Sequence, residues 1–434
     1  MKLPRFSWIL PLLCLSALPA QAQQAGASAA GAAEDPDAGA LMLADQTSKP
    51  VEQARDWRAF AEAAYGNSAL RPLGLNQSSQ RLSLDLQYDH SFDKSWRFVF
   101  ADRIDSIWPA ASYDQRHINT LKELYLSWKP ADFSMLDGGR INVRNGVAYG
   151  YNPTDFFKDN AVRSVVSIDP ASMKENRQGS VMLRGQQLWE SGSVSLLYSP
   201  KLSDQASASG WNPDLAATNH KDRWLLSVSQ KIGDFSPQFL LYQSQQLPPQ
   251  FGLNLTGLLN DSTVGFLEWS GGRSPSQLAQ ALAPWLPTPP DKRWHNRLSA
   301  GLTYTTANKL SITGEYHYNG AAIGQPQWDQ LRTTALLPYA AYRNWVQTAQ
   351  DLPTRQELFL YASWQDAFWP RVDLSAMSNY DLTDQSKRFW LEARYHADHW
   401  EYALQWQKNT GSVLSNFGAA PVQYGWQASL RYYF

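Results

Sequence analysis

Thiols are almost absent from this chain: its one cysteine, Cys14, sits in an apolar stretch near the N-terminus. A disulfide framework, a cysteine-held cluster and a cysteine nucleophile are therefore excluded from everything that follows. Net charge is also nearly absent, since 38 Lys and Arg against 39 Asp and Glu leave −1. That balance offers no global basic footprint, so no nucleic-acid partner is expected. Beyond residue 22 no run approaches the ~20 apolar residues that a helical membrane span needs. The seven histidines, His90, His117, His220, His295, His317, His396 and His399, hold no pair at i, i+4 spacing. No metal site and no cofactor are implied, and no Gly-x-Ser-x-Gly elbow announces a serine nucleophile.

What the chain has in excess is aromatic: 19 Trp, 20 Tyr and 17 Phe. A soluble core of this size has little use for so many indoles, whereas aromatic girdles at two membrane interfaces use them directly. The last residues show how. Trp426, Ala428, Leu430, Tyr432 and Phe434 fall on one face of a strand, and Gln427, Ser429 and Arg431 on the other. A period of two with aromatics at both ends of the apolar face is the pattern of a lipid-facing barrel strand. Tyr432 and Phe434 are expected to form the C-terminal signal that the barrel insertion machinery reads.

The beginning of the chain agrees. Met1 to Arg5 is a basic lead, Phe6 to Leu18 is apolar, and Ala20-Gln21-Ala22 is a small-residue cleavage site. Residues 1–22 read as a secretory signal peptide. Residues 23–56, rich in Ala and Gly and then polar, read as a flexible periplasmic segment. It is too short for the folded plug of an energy-gated transporter. The remainder, 57–434, is expected to be one transmembrane barrel in the outer membrane of a Gram-negative cell, with outer-membrane lipid as its first partner.

Alternation recurs throughout that remainder. Leu82, Leu84, Leu86 and Tyr88 interleave with Ser83, Asp85, Gln87 and Asp89, and Trp400, Tyr402, Leu404 and Trp406 with Glu401, Ala403, Gln405 and Gln407. Eighteen strands are predicted, the one over 250–257 being the faintest, and its loss would leave sixteen. The fold class is all-β, an antiparallel transmembrane barrel. The links supply an independent sign. Those after even-numbered strands are short, such as 91–94, 191–192 and 307–308. Most of those after odd-numbered strands are long, such as 144–177, 200–221, 271–293 and 320–354. Short periplasmic turns alternating with long external loops are the habit of such barrels, and an even strand count brings both termini to the periplasm. Residues 278–286 within one external loop are predicted as a short helix or a binding surface.

Strand phase places Arg97, Arg103, Arg140, Arg144, Arg184, Arg297, Arg388, Arg394 and Arg431 toward the lumen. Asp85, Asp89, Glu123, Glu315, Glu357, Asp373, Glu392 and Glu401 are placed there too. Interleaved signs make a transverse field rather than a single-sign selectivity ring. Arg140, Arg144 and Arg184 flank the loop 144–177 and are expected to hold carboxylated solutes bidentately, or else to pair with Glu123 and its neighbours. The loop itself joins turn chemistry (Asn152, Pro153, Thr154, Asp155) to side chains too apolar for a solvated tip (Tyr149, Tyr151, Phe156, Phe157). Folding into the lumen as a constriction satisfies both, as does packing on neighbouring loops.

At this loop the chain resembles outer-membrane porins of the alginate-export type. Gly139-Arg140 with Val143 at a strand end, followed by Asn152-Pro153 with Asp155, carries the resemblance, and Tyr380 to Ser386 before a late strand adds to it. The resemblance implies a porin barrel for a small hydrophilic solute or a polysaccharide. The mixed charge of this lumen departs from the arginine- and lysine-dominated lumen of the alginate exporter. The expected function is passive passage of hydrophilic, anionic or carbohydrate-like solutes, without enzymatic activity. Three alternatives stand beside it: polysaccharide export with a periplasmic apparatus, surface adhesion through the external loops, and a barrel hydrolase built on His317 or His396 with a nearby acid.

Overall fold

Leu82, Leu84 and Leu86 are 55, 59 and 41 % exposed, while the interleaved Arg81, Ser83 and Asp85 are 1, 3 and 3 % exposed. The polar face is the buried one. A sheet so inverted is stable only if it closes around its polar side and offers its apolar side to a nonaqueous surrounding.

It does close. The computed structural model describes residues 55–71, 74–110, 115–207, 209–245, 247–286 and 293–434. The expected signal peptide, 1–22, and nearly all of the expected periplasmic segment, 23–56, lie outside the described residues. The strands are β1 (Trp57–Leu70), β2 (Leu75–Ser91), β3 (Trp96–Trp108), β4 (His117–Ala131), β5 (Ser134–Ile141), β6 (Ser180–Trp189), β7 (Gly192–Ser199), β8 (Arg223–Gln230) and β9 (Phe235–Ser244). There follow β10 (Leu247–Asn260), β11 (Thr263–Ser274), β12 (Arg293–Thr305), β13 (Leu310–Asn319), β14 (Gln356–Trp364), β15 (Val372–Asp381), β16 (Lys387–His396), β17 (Trp400–Thr410) and β18 (Val422–Tyr433). Each pairs antiparallel with the next, and β1 pairs with β18 from Phe60↔Tyr433 to Leu70↔Val422. No edge is left open. The faint strand is real: β10 pairs along β9 and β11 alike, so the count is eighteen rather than sixteen.

One rim carries the short turns and the outer ends of β1 and β18. The other carries long excursions, described over 142–179, 200–207, 209–222, 275–286, 320–355 and 411–421. Within these lie α1 (Pro170–Glu175), α2 (Leu215–Thr218), α3 (Gln277–Leu282), α4 (Gln325–Thr334) and α5 (Leu336–Ala349). The predicted helix near 278–286 forms as α3. Ala281, Ile323, Trp328, Leu331, Tyr339, Tyr342 and Val346 from α3, α4, α5 and the link before α4 bury one another. Trp328 Nε1 donates to Asp384 at 2.9 Å, and Tyr339 Oη to the Leu414 carbonyl at 2.9 Å. Four loops are thereby fastened into one cover over that side of the rim.

Candidate functional site: the inner wall and the loop that crosses it

Inward side chains of β1 to β4 and β15 to β18 form a belt of ion pairs. Glu62 accepts from Arg81, from Arg103 at 3.2 Å and from Arg431 at 2.7 Å. Asp85 holds Lys122 at 2.7 Å, and Arg103 also meets Asp105 at 3.0 Å. Around the closing seam, Arg431 reaches Glu401 at 3.1 Å, and Arg394 bridges Glu401 and Glu392. Alternating signs at these distances neutralise one another, which is what makes burial of so many charges tolerable.

Opposite this belt stands a row of inward residues in register: Gln238, Asn254, Glu268, Ser299, His317, Glu357 and Asp381. The long excursion after β5 comes to this row. Glu268 of β11 accepts from five groups of that excursion. They are the Val147, Ala148 and Thr154 amides, Asn152 Nδ2 and Thr154 Oγ1, at 2.8–3.1 Å. Glu315 of β13 accepts the Tyr149 amide at 2.6 Å and the Gly150 amide at 2.9 Å. Two carboxylates thus take up backbone donors that no regular structure satisfies. Gly146 makes the approach possible. Its φ is +106°, and a Cβ there would lie 2.7 Å from the Glu268 carboxylate oxygens.

Apolar contacts fix both ends of the crossing. Phe156 stacks on Tyr242 at 4.5 Å, and Phe157 is buried with Ile141, Met182, Leu197, Leu225 and Leu240 on the inner face of β5–β9. Across the barrel, Tyr149 meets Tyr361 at 4.3 Å, in a patch with Phe359, Met377 and Trp390 of β14–β16. Asp155 pairs with Arg177 at 2.6 Å and so ties the start of the excursion to its end. Tyr151 Oη donates to Asp351, beyond α5, at 2.6 Å. Asp169 caps α1 by accepting the Ser172 amide at 2.9 Å. Burial pushes its carboxyl up to about 7, with the Glu392 carboxylate adding to the rise and the Ser172 and Tyr149 donors opposing it.

The expected arginine zone is not assembled. Arg140 stands opposite Leu124 and Val181, on the outward phase of β5, yet is only 2 % exposed. Loop 200–222 covers it, and its guanidinium donates to the carbonyls of Pro213 at 2.6 Å and Asp214 at 3.3 Å. The expected lumen phase is therefore reversed, and a loop lapping the wall removes the cost that an arginine facing lipid would carry. Arg184 does face inward but is paired with Asp137 at 2.7 Å, and Arg97 is paired with Asp89 at 2.6 Å. Arg394 is neutralised in the belt. Arg144 is exposed and makes no ion pair among the described residues. Glu123 lies opposite Ala101 on the inner face beside a register shift, a bulge that also turns Lys122 inward. Strict alternation hides Lys122 for that reason. It also gave no reason to single out Glu268, the lone acid of β11.

His317 and His396 are occupied. His317 touches Glu315 at 2.7 Å and Glu357 at 3.3 Å through its two ring nitrogens, and His396 touches Asp373 at 3.0 Å and Glu401 at 3.3 Å. Neither ring keeps a nitrogen for activating a hydroxyl, so the hydrolase arrangement is not formed at either.

No protein family and no curated protein matches the chain in sequence. Solved structures do match in shape. OccAB1 of Acinetobacter baumannii aligns over 87 % of this chain and 96 % of its own, with a TM-score of 0.55 and 10 % identity. An engineered triple mutant of Rhodopseudomonas blastica porin covers 87 % of this chain and 99 % of its own, with a TM-score of 0.43 and 11 % identity. By fold, then, the protein is a porin-like β-barrel, closed, antiparallel and of eighteen strands.

Proposed function

We propose that this protein is a passive outer-membrane channel for hydrophilic solutes, with the excursion 142–179 as its constriction. The observation that carries the reading is the docking of Val147, Ala148, Tyr149, Gly150, Asn152 and Thr154 on Glu268 and Glu315 of the far wall. A segment held there narrows the passage and sets what fits through it. The outward leucines and the aromatic rows, Tyr432 and Phe434 among them, suit a lipid surround and, at the last strand, recognition by the insertion machinery. An anion preference localised at Arg140, Arg144 and Arg184 loses its support, because only Arg144 is left without a carboxylate or a carbonyl cage. Of the solute classes considered, carbohydrate-like ones suit a charge-neutralised wall better. The resemblance to alginate-export porins remains one of short motifs. Asn152, Thr154 and Asp155 are the residues that dock and tie the crossing, a role any porin with a lumen loop would need.

Single-channel recording of the refolded protein in a planar bilayer, with reversal potential in a salt gradient, tests this. Discrete open steps with weak ion selectivity are expected. Silence from a folded, heat-modifiable barrel would refute the channel and move attention to the external cover, where Leu336 and Leu337 stand exposed on the first turn of α5.

A further inference from the structure

Below the Glu268 row, toward the rim of short turns, the wall formed by β12 to β15 changes character. Thr305, Ser311, Ser363 and Ser375 stand side by side in register on four consecutive strands, all inward and all partly exposed. The next inward row is Thr303, Thr313, Tyr361 and Met377. Thr303 and Thr313 share a hydrogen bond of 2.8 Å, and Thr305 and Ser311 one of 2.9 Å. Seven of these eight side chains end in a hydroxyl, and none is charged. At one end of the strip stand Asp373 and His396, coupled at 3.0 Å and each about a quarter to a third exposed. Elsewhere most lumen-facing charges of β1–β6 and β16–β18 occur as ion pairs, Glu123 and Arg388 excepted, so the strip, which carries no charge of its own, is a distinct surface.

We propose that this strip is a binding lane for uncharged saccharides, which deepens the channel reading and rests on it. Each hydroxyl offers one donor and two acceptor sites and rotates to suit its partner, as does each hydroxyl of a sugar. Neighbouring strands are ~4.8 Å apart, close to the separation of equatorial hydroxyls two carbons apart on a pyranose ring. A sugar moving along the lane exchanges water for wall hydroxyls one for one, so it is held without being trapped. Asp373 adds a carboxylate that accepts from a sugar diol at the lane's end. A charged solute finds no unpaired counter-charge on the strip, and gains nothing there over a neutral one.

The test uses maltohexaose as probe, added on the short-turn side of a bilayer holding single channels. Block of the wild-type current by the sugar is expected. In the variant Ser311→Ala, Ser363→Ala, Ser375→Ala, about tenfold more sugar should be needed for equal block, from the loss of several weak hydrogen bonds. Salt conductance and reversal potential should be unchanged, which a variant with a disturbed barrel would not show. Equal block in both proteins overturns the lane. So does a wild-type current that oligogalacturonate blocks and maltohexaose does not. If the folded barrel carries no current, the channel reading alone fails. Calorimetric titration of maltohexaose into the detergent-folded barrel then decides the lane: weakened binding in the triple variant supports it, and no binding to the wild type overturns it.

Discussion

At the scale of single residues, Asp169 is placed to make the crossing sensitive to pH. It is fully buried, caps α1, and has its carboxyl pushed up to about 7 by burial. A carboxyl whose pKa is raised on folding binds more protons folded than unfolded. Docking of α1 therefore loses stability as pH climbs from the ordinary carboxylate range, ~3.9, toward that raised value, and regains it on acidification. Quieter open-channel current at pH 5 than at pH 8 is expected, and Asp169→Asn should abolish the difference. Current noise that stays pH-dependent in the variant would place the titrating group elsewhere.

At the scale of the element, the crossing is a beam with two kinds of fastening. Its ends lie on apolar patches, through Phe156 and Phe157 on one wall and Tyr149 on the other. Its middle is held by carboxylates. Replacing Glu268 by Ala leaves the Val147, Ala148 and Thr154 amides without their acceptor, while Asn152 Nδ2 and Thr154 Oγ1 keep the Ala148 carbonyl and Asn254. Hydrogen bonds to a charged group contribute ~1.5–3 kcal/mol each without being additive. Glu268→Ala, and more so its combination with Glu315→Ala, should free the middle of the beam by at least ~3 kcal/mol. Larger and noisier single-channel steps are expected, with the heat-modifiable gel shift of the barrel unchanged. Unaltered conductance in the double variant would mean that the crossing does not limit flow.

At the scale of the whole molecule, closure depends on one seam. Glu62 of the first strand holds Arg431 of the last, together with Arg81 and Arg103, and Arg431 also reaches Glu401. All five side chains are buried. Removing one member of such a cluster strands the others, at a cost of ~3–5 kcal/mol. Arg431→Ala should lower the temperature at which the folded band is lost. Arg371→Ala, whose pair with Asp398 is open to solvent, should leave it unchanged, because exposed pairs contribute ~0–1 kcal/mol. Equal melting of the two variants would remove the seam from the account of closure. The same cluster explains how a lumen rich in charge stays electrically quiet.

The sequence by itself determined the barrel. Period-two alternation, aromatic strand ends and links that are short after even strands and mostly long after odd ones are local features. They sufficed for the fold class and for all eighteen strands, the short β9–β10 link and the weak alternation of β10 notwithstanding. The apolar residues Tyr149, Phe156 and Phe157 in a loop also announced that the loop must bury itself. What only the tertiary structure decided was against what. The partners of the crossing lie more than a hundred residues away, at Glu268 and Glu315, and nothing local to either acid marks it as an acceptor of backbone amides. Arg140 shows the same division. Its strand was legible, but its phase, outward rather than toward the lumen, and its cover by loop 200–222 lapping the outside of the wall were not. The bulge that turns Lys122 inward beside Glu123 is likewise a matter of register between β3 and β4. Alternation is written residue by residue along a strand, whereas charge neutralisation and the docking of a crossing segment depend on side chains that meet across a closed ring.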